Sequence, residues 1–308
     1  MTRTIPSSGT AHNSALPPIR RVGVLAHPAR PASFPVADQI VDLLHRHDLE
    51  CWVYHEWSPE QVEADVAGAD LVIAIGGDGA MLRAAHVCAP AGVPLLGVNM
   101  GYLGFLTEVK TVDELDEALI RLLAGEGWIE TRMMLDVQAF RGDLSIGATL
   151  ALNDAVISRG SEPRMIHLDM HIDGGWTTSY GADALIISTP TGSTAYALAC
   201  GGPILPPELR SILIVPVAPH LSLDRPMVLP EGATVEVFVA ADVQQEIALS
   251  ADGVRVCELR GDDRVVVRAS PIVSRFLRLR EQTYFYRSLL DRLEPRISAP
   301  RRVNRIQA

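Results

Sequence analysis

Lysine is almost missing from this chain. Of its 27 Lys and Arg residues only Lys110 is lysine, and the other 26 are arginine. A P-loop needs its lysine inside G-x-x-x-x-G-K-[ST], whereas Lys110 stands in a Glu-Val-Lys-Thr context with no glycine run before it. P-loop chemistry is therefore excluded. A protein kinase needs a strand lysine behind its glycine-rich loop, and a pyridoxal enzyme needs a Schiff-base lysine. Lys110 alone could serve either, and no supporting motif surrounds it. Phosphate chemistry in this protein has to rest on backbone amides, arginine and a metal ion.

Cysteine is scarce as well. Cys51, Cys88, Cys200 and Cys257 are widely spaced with no C-x-x-C pair, the pattern of reduced thiols in a cytoplasmic protein. No apolar run approaches the ~20 residues needed to cross a bilayer, so no membrane partner is expected. Residues 1–19 are polar, rich in Ser, Thr and Pro, and lack the apolar centre of a signal peptide; they are expected to form a disordered leader. With 37 acidic residues the net charge is −10, a field that repels nucleic acid and anionic lipid. The basic tail with Arg296, Arg301, Arg302 and Arg305 reads as a solvated end.

The 308 residues suit two domains. Over 20–126, short apolar runs at 22–26, 51–54, 71–75 and 94–98 alternate with helical spacing at 35–47, from Met81 onward, and at 112–123. This predicts a Rossmann-like α/β domain with a parallel sheet. Over 127–280 the texture changes to period-two segments, among them 149–158, 166–172, 235–239, 246–249, 254–259 and 265–267. These predict a β-rich, sandwich-like domain. Residues 281–308 hold a helix candidate at 283–293 and the tail.

Two stretches carry the chemistry. In Gly76-Gly77-Asp78-Gly79, three glycines surround one carboxylate at the end of a buried strand and the start of a helix, the place where open α/β sheets bind ligands. Glycine lets the backbone approach a phosphate, and the amides of a helix start favour an anion. A carboxylate is out of place there unless it takes a proton or holds a bridging cation; the plain alternative is that Asp78 caps the helix. The second stretch, from Asp183 to Tyr196, runs from an apolar strand into Ser188-Thr189-Pro190-Thr191-Gly192-Ser193-Thr194. Its hydroxyls could serve phosphate oxygens or a base edge, and their density exceeds what one helix cap needs.

These motifs, taken with Met81-Leu82-Arg83, Gly97-Val98-Asn99, Gly101-Tyr102-Leu103-Gly104-Phe105-Leu106, Asn153-Asp154, Gly201-Gly202-Pro203, Pro219-His220 and Arg225-Pro226, resemble in content and order the bacterial NAD kinases. The resemblance covers roughly residues 22–290. The Gly-Gly-Asp-Gly turn is shared with diacylglycerol and sphingosine kinases, but the Ser/Thr motif argues against a lipid substrate. An NAD-binding regulator without catalysis is disfavoured by the intact Asp78.

The resemblance implies Mg2+-dependent phosphoryl transfer from ATP, another nucleoside triphosphate or polyphosphate to the 2′-hydroxyl of the adenosine ribose of NAD, giving NADP. Asp78 would be the general base, which would explain a carboxylate at an anion site. Asn153 and Asp154 would contact the adenine and its ribose, and Thr191, Thr194, Ala195 and Tyr196 the dinucleotide pocket. Asp183 would touch the second half of the substrate. Arg164 falls at a basic contact position, Arg83 is a phosphate candidate, and Gly76, Gly77, Gly79 and Asn99 complete the nucleotide-binding set. Magnesium would be held by the donor phosphates, with no protein ligands assigned. Relatives of this kind are homodimers or homotetramers, and their C-terminal segment returns to the first domain, so the resemblance implies that residues 281–308 pack back there.

The chain departs from the family pattern in three places. Ala184 replaces a glycine after Asp183, Ala199 stands where a Ser helps hold the dinucleotide, and Asp252-Gly253-Val254 replaces Asp-Gly-Gln. His167 and His171 have H-x-x-x-H spacing, but they alternate with Ile166, Leu168, Met170 and Ile172. In a strand they would lie about 13 Å apart, too far for one metal. His220 matches a family position near the substrate phosphates.

Overall fold

The computed structural model describes residues 16–100, 104–160, 162, 164–220, 223–242 and 245–293, without the side chains of 290–293. The first part alternates strand and helix: β1 (Arg21–Leu25), α1 (Phe34–Arg46), β2 (Glu50–Tyr54), α2 (Pro59–Ala67), β3 (Leu71–Ile75), α3 (Asp78–Ala91), β4 (Leu95–Val98) and α4 (Val112–Leu123). The strands pair parallel in the order β2-β1-β3-β4. β3 explains its own continuous apolar run. Leu71, Ile73 and Ile75 pack towards Ile40 and Leu44 of α1 and Leu115 and Leu119 of α4, while Val72 and Ala74 face Val62 and Val66 of α2 and Met81 of α3. Both faces of the sheet are covered, so no polar residue is tolerated on either.

Helix α2 is absent from the sequence reading because only Val62 and Val66 of its nine residues are buried. Its start was legible in Ser58-Pro59-Glu60-Gln61, where Gln61 Oε1 accepts from the Ser58 amide at 2.8 Å. Helix α4 is capped by Thr111, whose hydroxyl accepts from the Glu114 amide at 3.3 Å. Lys110, the lone lysine, is exposed beside that cap.

The second part is β5 (Trp128–Arg141), β6 (Leu144–Ala151), β7 (Asp154–Arg159), β8 (Ile166–Ile172), β9 (Gly175–Ala182), β10 (Ala184–Ser188), the four-residue α5 (Tyr196–Ala199), β11 (Ser211–Val217), β12 (Met227–Pro230), β13 (Thr234–Val239), β14 (Ile247–Ala251), β15 (Val254–Leu259), β16 (Arg264–Arg278) and α6 (Tyr284–Leu293). Six strands form one sheet in the order β12-β11-β10-β7-β14-β15. It faces β5, β8, β13 and β16 across a core in which Leu185, Ile187, Ile214 and Leu249 meet Val137, Leu168, Val237 and Val267. That is a sandwich. The stretch 149–158, read as one segment, is two strands broken at Leu152-Asn153, and that break becomes part of the site.

The sequence places the boundary between its α/β and β-rich parts at 126–127, and the large sheet runs across it. β16 pairs antiparallel with β13 and β5, then reaches β4, where Phe276 pairs parallel with Leu95. Its register against β5 shifts between Ala269 and Val273. Pro271 sits in that shift and has no N–H to give the ladder, and a bulge bends the strand. This is why the period-two pattern stops at 267 while the strand continues to 278.

Residues 1–15 of the expected leader, and the tail with Arg296, Arg301, Arg302 and Arg305, lie outside the described residues. Leu16 and Ile19 pack against the α1/α4 side of the sheet, and the Arg20 and Arg21 amides bond Asp70 Oδ2 at 2.9 Å. The end of the predicted leader is thus part of the folded body. All four cysteines are free thiols. Among the described residues no helix is long and apolar enough to cross a membrane.

Candidate functional site

The glycine turn leaves β3 at the carboxyl edge of the sheet. Gly76 has φ +142°, which a side chain rarely tolerates, and a Cβ there would come within 2.6 Å of Ala80 Cβ. Gly77 is the N-cap of α3. Cβ atoms added at Gly77 or Gly79 would meet nothing within 4 Å. Bare backbone at a helix start thus faces open space, the arrangement that receives a phosphate.

Asp78 does not cap its own helix, which overturns the plain alternative. Its carboxylate turns to the loop after β4, accepting from the Phe105 amide at 3.1 Å and the Leu106 amide at 2.9 Å. Gly104 lies so close that a Cβ on it would overlap Asp78 Oδ1, so the loop requires glycine there. The loop is itself pinned: the Gly104 amide donates to Thr107 Oγ1 at 2.7 Å, and the Glu108 and Val109 amides both donate to the Gly97 carbonyl. Next to it, at the end of β4, Asn99 is buried and its Nδ2 has no partner among the described residues.

The Arg83 guanidinium donates to the Trp57 carbonyl at 2.9 Å and lies over the Trp57 ring at 4.7 Å. His27 was missed by sequence reasoning; a Cβ on Gly76 would come within 3.4 Å of its Cδ2. Burial, then the charges of Arg30 and Arg83, hold its imidazole below the usual histidine range. Its place just beyond β1, the strand next to β3, was the available signal.

The second half of the site grows from the pairing of β7 with β10, where Ser188 faces Asp154. Beyond that pair the chains separate, and the hydroxyls hold them. Ser188 Oγ donates to the Asn153 carbonyl at 2.9 Å, and Thr189 Oγ1 donates to the Leu152 carbonyl at 2.5 Å and accepts from the Gly192 amide. Ser193 Oγ donates to Pro190, and Thr194 Oγ1 to the Thr191 carbonyl at 3.2 Å. Thr191 Oγ1 accepts from Arg132 at 3.1 Å. All five hydroxyls thus have partners within the protein, because a turn this tight leaves carbonyls that no helix or ladder can satisfy. Ala197 and Leu205 seat the turn on Ile186, Leu213 and Val215 of the outer sheet face.

A cleft of about 380 Å³ remains open beside this turn, lined by Asn153, Asp154, Val156, Ala195, Tyr196, Ser250, Asp252 and Gly253. Asp154 is buried, and desolvation followed by the charge of Asp252 raises its pKa to about 7. Burial, with Cys200, Asp154 and Asp183 behind it, raises the Tyr196 phenol. The Asp183 carboxylate accepts from Arg159 Nε at 3.0 Å. Ala184 lies in β10 outside the positive-φ region, so replacing glycine there sacrifices no special conformation. Ala199 is exposed at the end of α5 and Val254 on the hairpin.

Asp252 carries more of the site than the sequence indicated. Its carboxylate, with the residue at φ +49°, accepts from three successive amides, Leu152 at 2.7 Å, Asn153 at 2.7 Å and Asp154 at 3.1 Å, and from His86 Nε2 at 2.8 Å. His86 is on α3, the helix that Asp78 opens. Asp252 therefore shapes the Asn153-Asp154 corner and joins it to the glycine-turn helix. The Asp-Gly pair at the tip of β14–β15 was the visible sign of a turn, but not of these partners.

Arg164 is not among the residues that line this cleft; its side chain is 77% exposed and 3.7 Å from Glu162. His220 is exposed, its amide bonded to the Gly181 carbonyl. His167 is exposed on β8, and His171 meets the Phe238 ring edge-on.

Gly192 yields a prediction. A Cβ there would overlap the Asn153 carbonyl and lie 2.5 Å from Ser188 Oγ. Backbone cannot yield as a flexible side chain does, so Gly192→Ala is expected to cost about 1–3 kcal/mol of stability. Chemical denaturation measures this, with Gly79→Ala as a control that has room for its methyl. Equal stability in the two variants would refute the packing argument.

Two family models match the chain: the ATP-NAD kinase N-terminal domain over residues 22–127 and the ATP-NAD kinase C-terminal domain over 152–279. An NAD kinase of Heliobacterium modesticaldum is 38% identical over 272 residues, covering 86% of this chain and 95% of the relative. A crystal structure of yeast NADH kinase complexed with NADH has a TM-score of 0.77 at 24% identity, covering 92% of this chain and 89% of that one. An Archaeoglobus fulgidus NAD kinase in complex with ATP has a TM-score of 0.70 at 23% identity, with 88% and 97% covered.

Proposed function

The chain belongs to the NAD kinase family, and from that premise we propose that it transfers a phosphoryl group from ATP to the 2′-hydroxyl of the adenosine ribose of NAD, with Asp78 as the general base. The observation that carries this reading is the Asp78 carboxylate, oriented by the Phe105 and Leu106 amides beside a glycine turn whose backbone is open to a ligand. A ribose hydroxyl is a weak nucleophile until a positioned base accepts its proton. The hydroxyl oxygen then bonds to the terminal phosphorus while the bond to the bridging oxygen breaks, leaving ADP and NADP, with the proton on Asp78. The turn amides receive the donor phosphates, and the cleft lined by Asn153, Asp154, Ala195 and Tyr196 receives the adenosine.

Among the described residues no three His, Cys, Asp or Glu side chains converge on a common point. We therefore place Mg2+ with the donor, as part of the MgATP substrate, in keeping with how phosphoryl transfer neutralises charge. Polyphosphate presents the same phosphate chain to the turn and is the second donor to assay. Association of copies is supported by edge strand β9, which carries Trp176 with 64% of its surface exposed. The test is incubation of the protein with NAD and MgATP and identification of the product. Formation of 2′-phosphorylated NAD supports the reading, whereas absence of NADP with either donor would overturn it.

Asp154 supplies a pH prediction. Its folded pKa of about 7 lies above that of an unfolded aspartate, so its contribution to stability is present in acid and is lost as pH rises through 7. Ribose hydroxyls donating to the carboxylate favour the ionised form. NAD binding is therefore expected to release a fraction of a proton, largest at about pH 6–7. Calorimetry in buffers of different ionisation enthalpy measures the release, and Asp154→Asn should abolish it. Release that persists in the variant would assign the proton elsewhere.

A further inference from the structure

The loop that holds Asp78 is fastened from behind by buried charge. Arg278, fully buried at the end of β16, donates Nη1 to the Leu106 carbonyl at 2.8 Å and lies 3.3 Å from Glu108. The Leu106 amide, in turn, is one of the two that bind Asp78. The same guanidinium sends Nε to Glu130 at 2.8 Å. Glu130 accepts from Arg132 at 3.0 Å, and Arg132 reaches Thr191 Oγ1 at 3.1 Å. Tyr284, from α6, closes the group: its hydroxyl donates to Glu130 and accepts from Arg132 at 2.7 Å, and its ring lies 5.1 Å from the Arg278 guanidinium. A continuous path of hydrogen bonds thus joins the Asp78 loop to the Ser/Thr turn.

Isolated burial of an arginine is costly, and a buried ion pair is weak evidence for stability. A planar fork with several acceptors, however, fixes geometry in a way that a single ammonium cannot. We propose that Arg278 is a positioning residue for Asp78: it sets the place of the Leu106 peptide, and through Glu130 and Arg132 fixes that peptide relative to the turn at Thr191. Arg278 is fully buried, so its action on the reaction runs through Asp78. The proposal rests on the assignment of Asp78 as the base.

The test is a double-mutant cycle on the full chain, with kcat for NADP formation and, separately, NAD affinity by equilibrium dialysis without donor. Arg278→Lys keeps the charge and loses the fork. It is expected to lower kcat about 10–100-fold, the scale of an ångström-level misplacement, with NAD affinity within about twofold. On an Asp78→Asn background the same change should cost less than about threefold, because the group it positions is gone. Wild-type kcat in Arg278→Lys, an equal loss in both backgrounds, or a parallel loss of NAD affinity would each overturn the proposal. If Arg278→Lys does not fold, Tyr284→Phe replaces it. That variant keeps the ring beside Arg278 and removes the hydroxyl from Glu130 and Arg132, and about a 3–10-fold loss is expected under the same cycle; no loss would overturn the proposal. Wild-type activity in Asp78→Asn alone is a different result, and would defeat the base assignment itself.

Discussion

Asp78→Asn is expected to lower kcat by about 10²–10⁴-fold, the usual contribution of a positioned general base, while NAD affinity stays within about threefold. The substitution is nearly isosteric, so the glycine turn and the start of α3 keep their shape. What changes is the proton acceptor. The carboxylate uses its two oxygens towards two amides, Phe105 and Leu106. An asparagine offers one oxygen to one of them and sets its NH2 against the other. That mismatch costs about 1–3 kcal/mol where the amide is shielded from water, so the comparison belongs at a temperature well below unfolding. Single-turnover rates separate the chemical step from product release. A group that acted only in binding would raise KM and leave kcat alone, whereas a base removes stabilisation felt in the transition state. Wild-type kcat in a folded variant would exclude Asp78 as the base and direct attention to Asp154 and Asp252, the carboxylates lining the other cleft.

The parts of this molecule that could be read from its sequence are those with local causes. Helix α4 spans residues 112–123 as predicted because its apolar spacing is regular and Thr111 caps it. β8 and β15 likewise match the period-two stretches at 166–172 and 254–259. The glycine turn was legible because positive φ and bare backbone demand glycine. The Ser/Thr turn was legible as a place but not as a mechanism. A hydroxyl that donates to its own turn and one that donates to a ligand look the same in sequence, and the structure assigns these five hydroxyls to bonds within the protein.

The remaining features depend on distant partners. Arg278 meets a carbonyl 172 residues away, and His86 meets Asp252 across 166. Such contacts follow from the register of β16 against β4 and from the position of the β14–β15 tip, which no periodicity encodes. β16 itself was foreshortened because Pro271 interrupts its alternation at the bulge that carries it from one half of the molecule to the other.

Removing divalent metal is expected to reduce NADP formation by more than about 10²-fold, because such sites accelerate the reaction chiefly by stabilising charge on the transferring phosphoryl group. The reason begins with the missing lysines. A phosphate chain brought to the glycine turn enters the field of a protein with net charge −10. Of the arginines around the site, Arg83 bonds Trp57, Arg132 and Arg278 bond Glu130, and Arg159 bonds Asp183, while the positive charge that reaches His27 beside the turn comes from Arg30 and Arg83. Lys110 is exposed beside the cap of α4. Turn amides carry only partial charge, so a donor-borne cation is left to neutralise the polyanion. The test is the initial rate in MgATP against the rate in excess EDTA, with the thermal midpoint of the donor-free protein measured in both. Because no cluster of metal-ligating side chains lies among the described residues, that midpoint should not move, which separates a metal carried by the substrate from one that holds the fold. Full activity in excess EDTA would mean that amides and the engaged arginines suffice, and would remove Mg2+ from the proposed reaction.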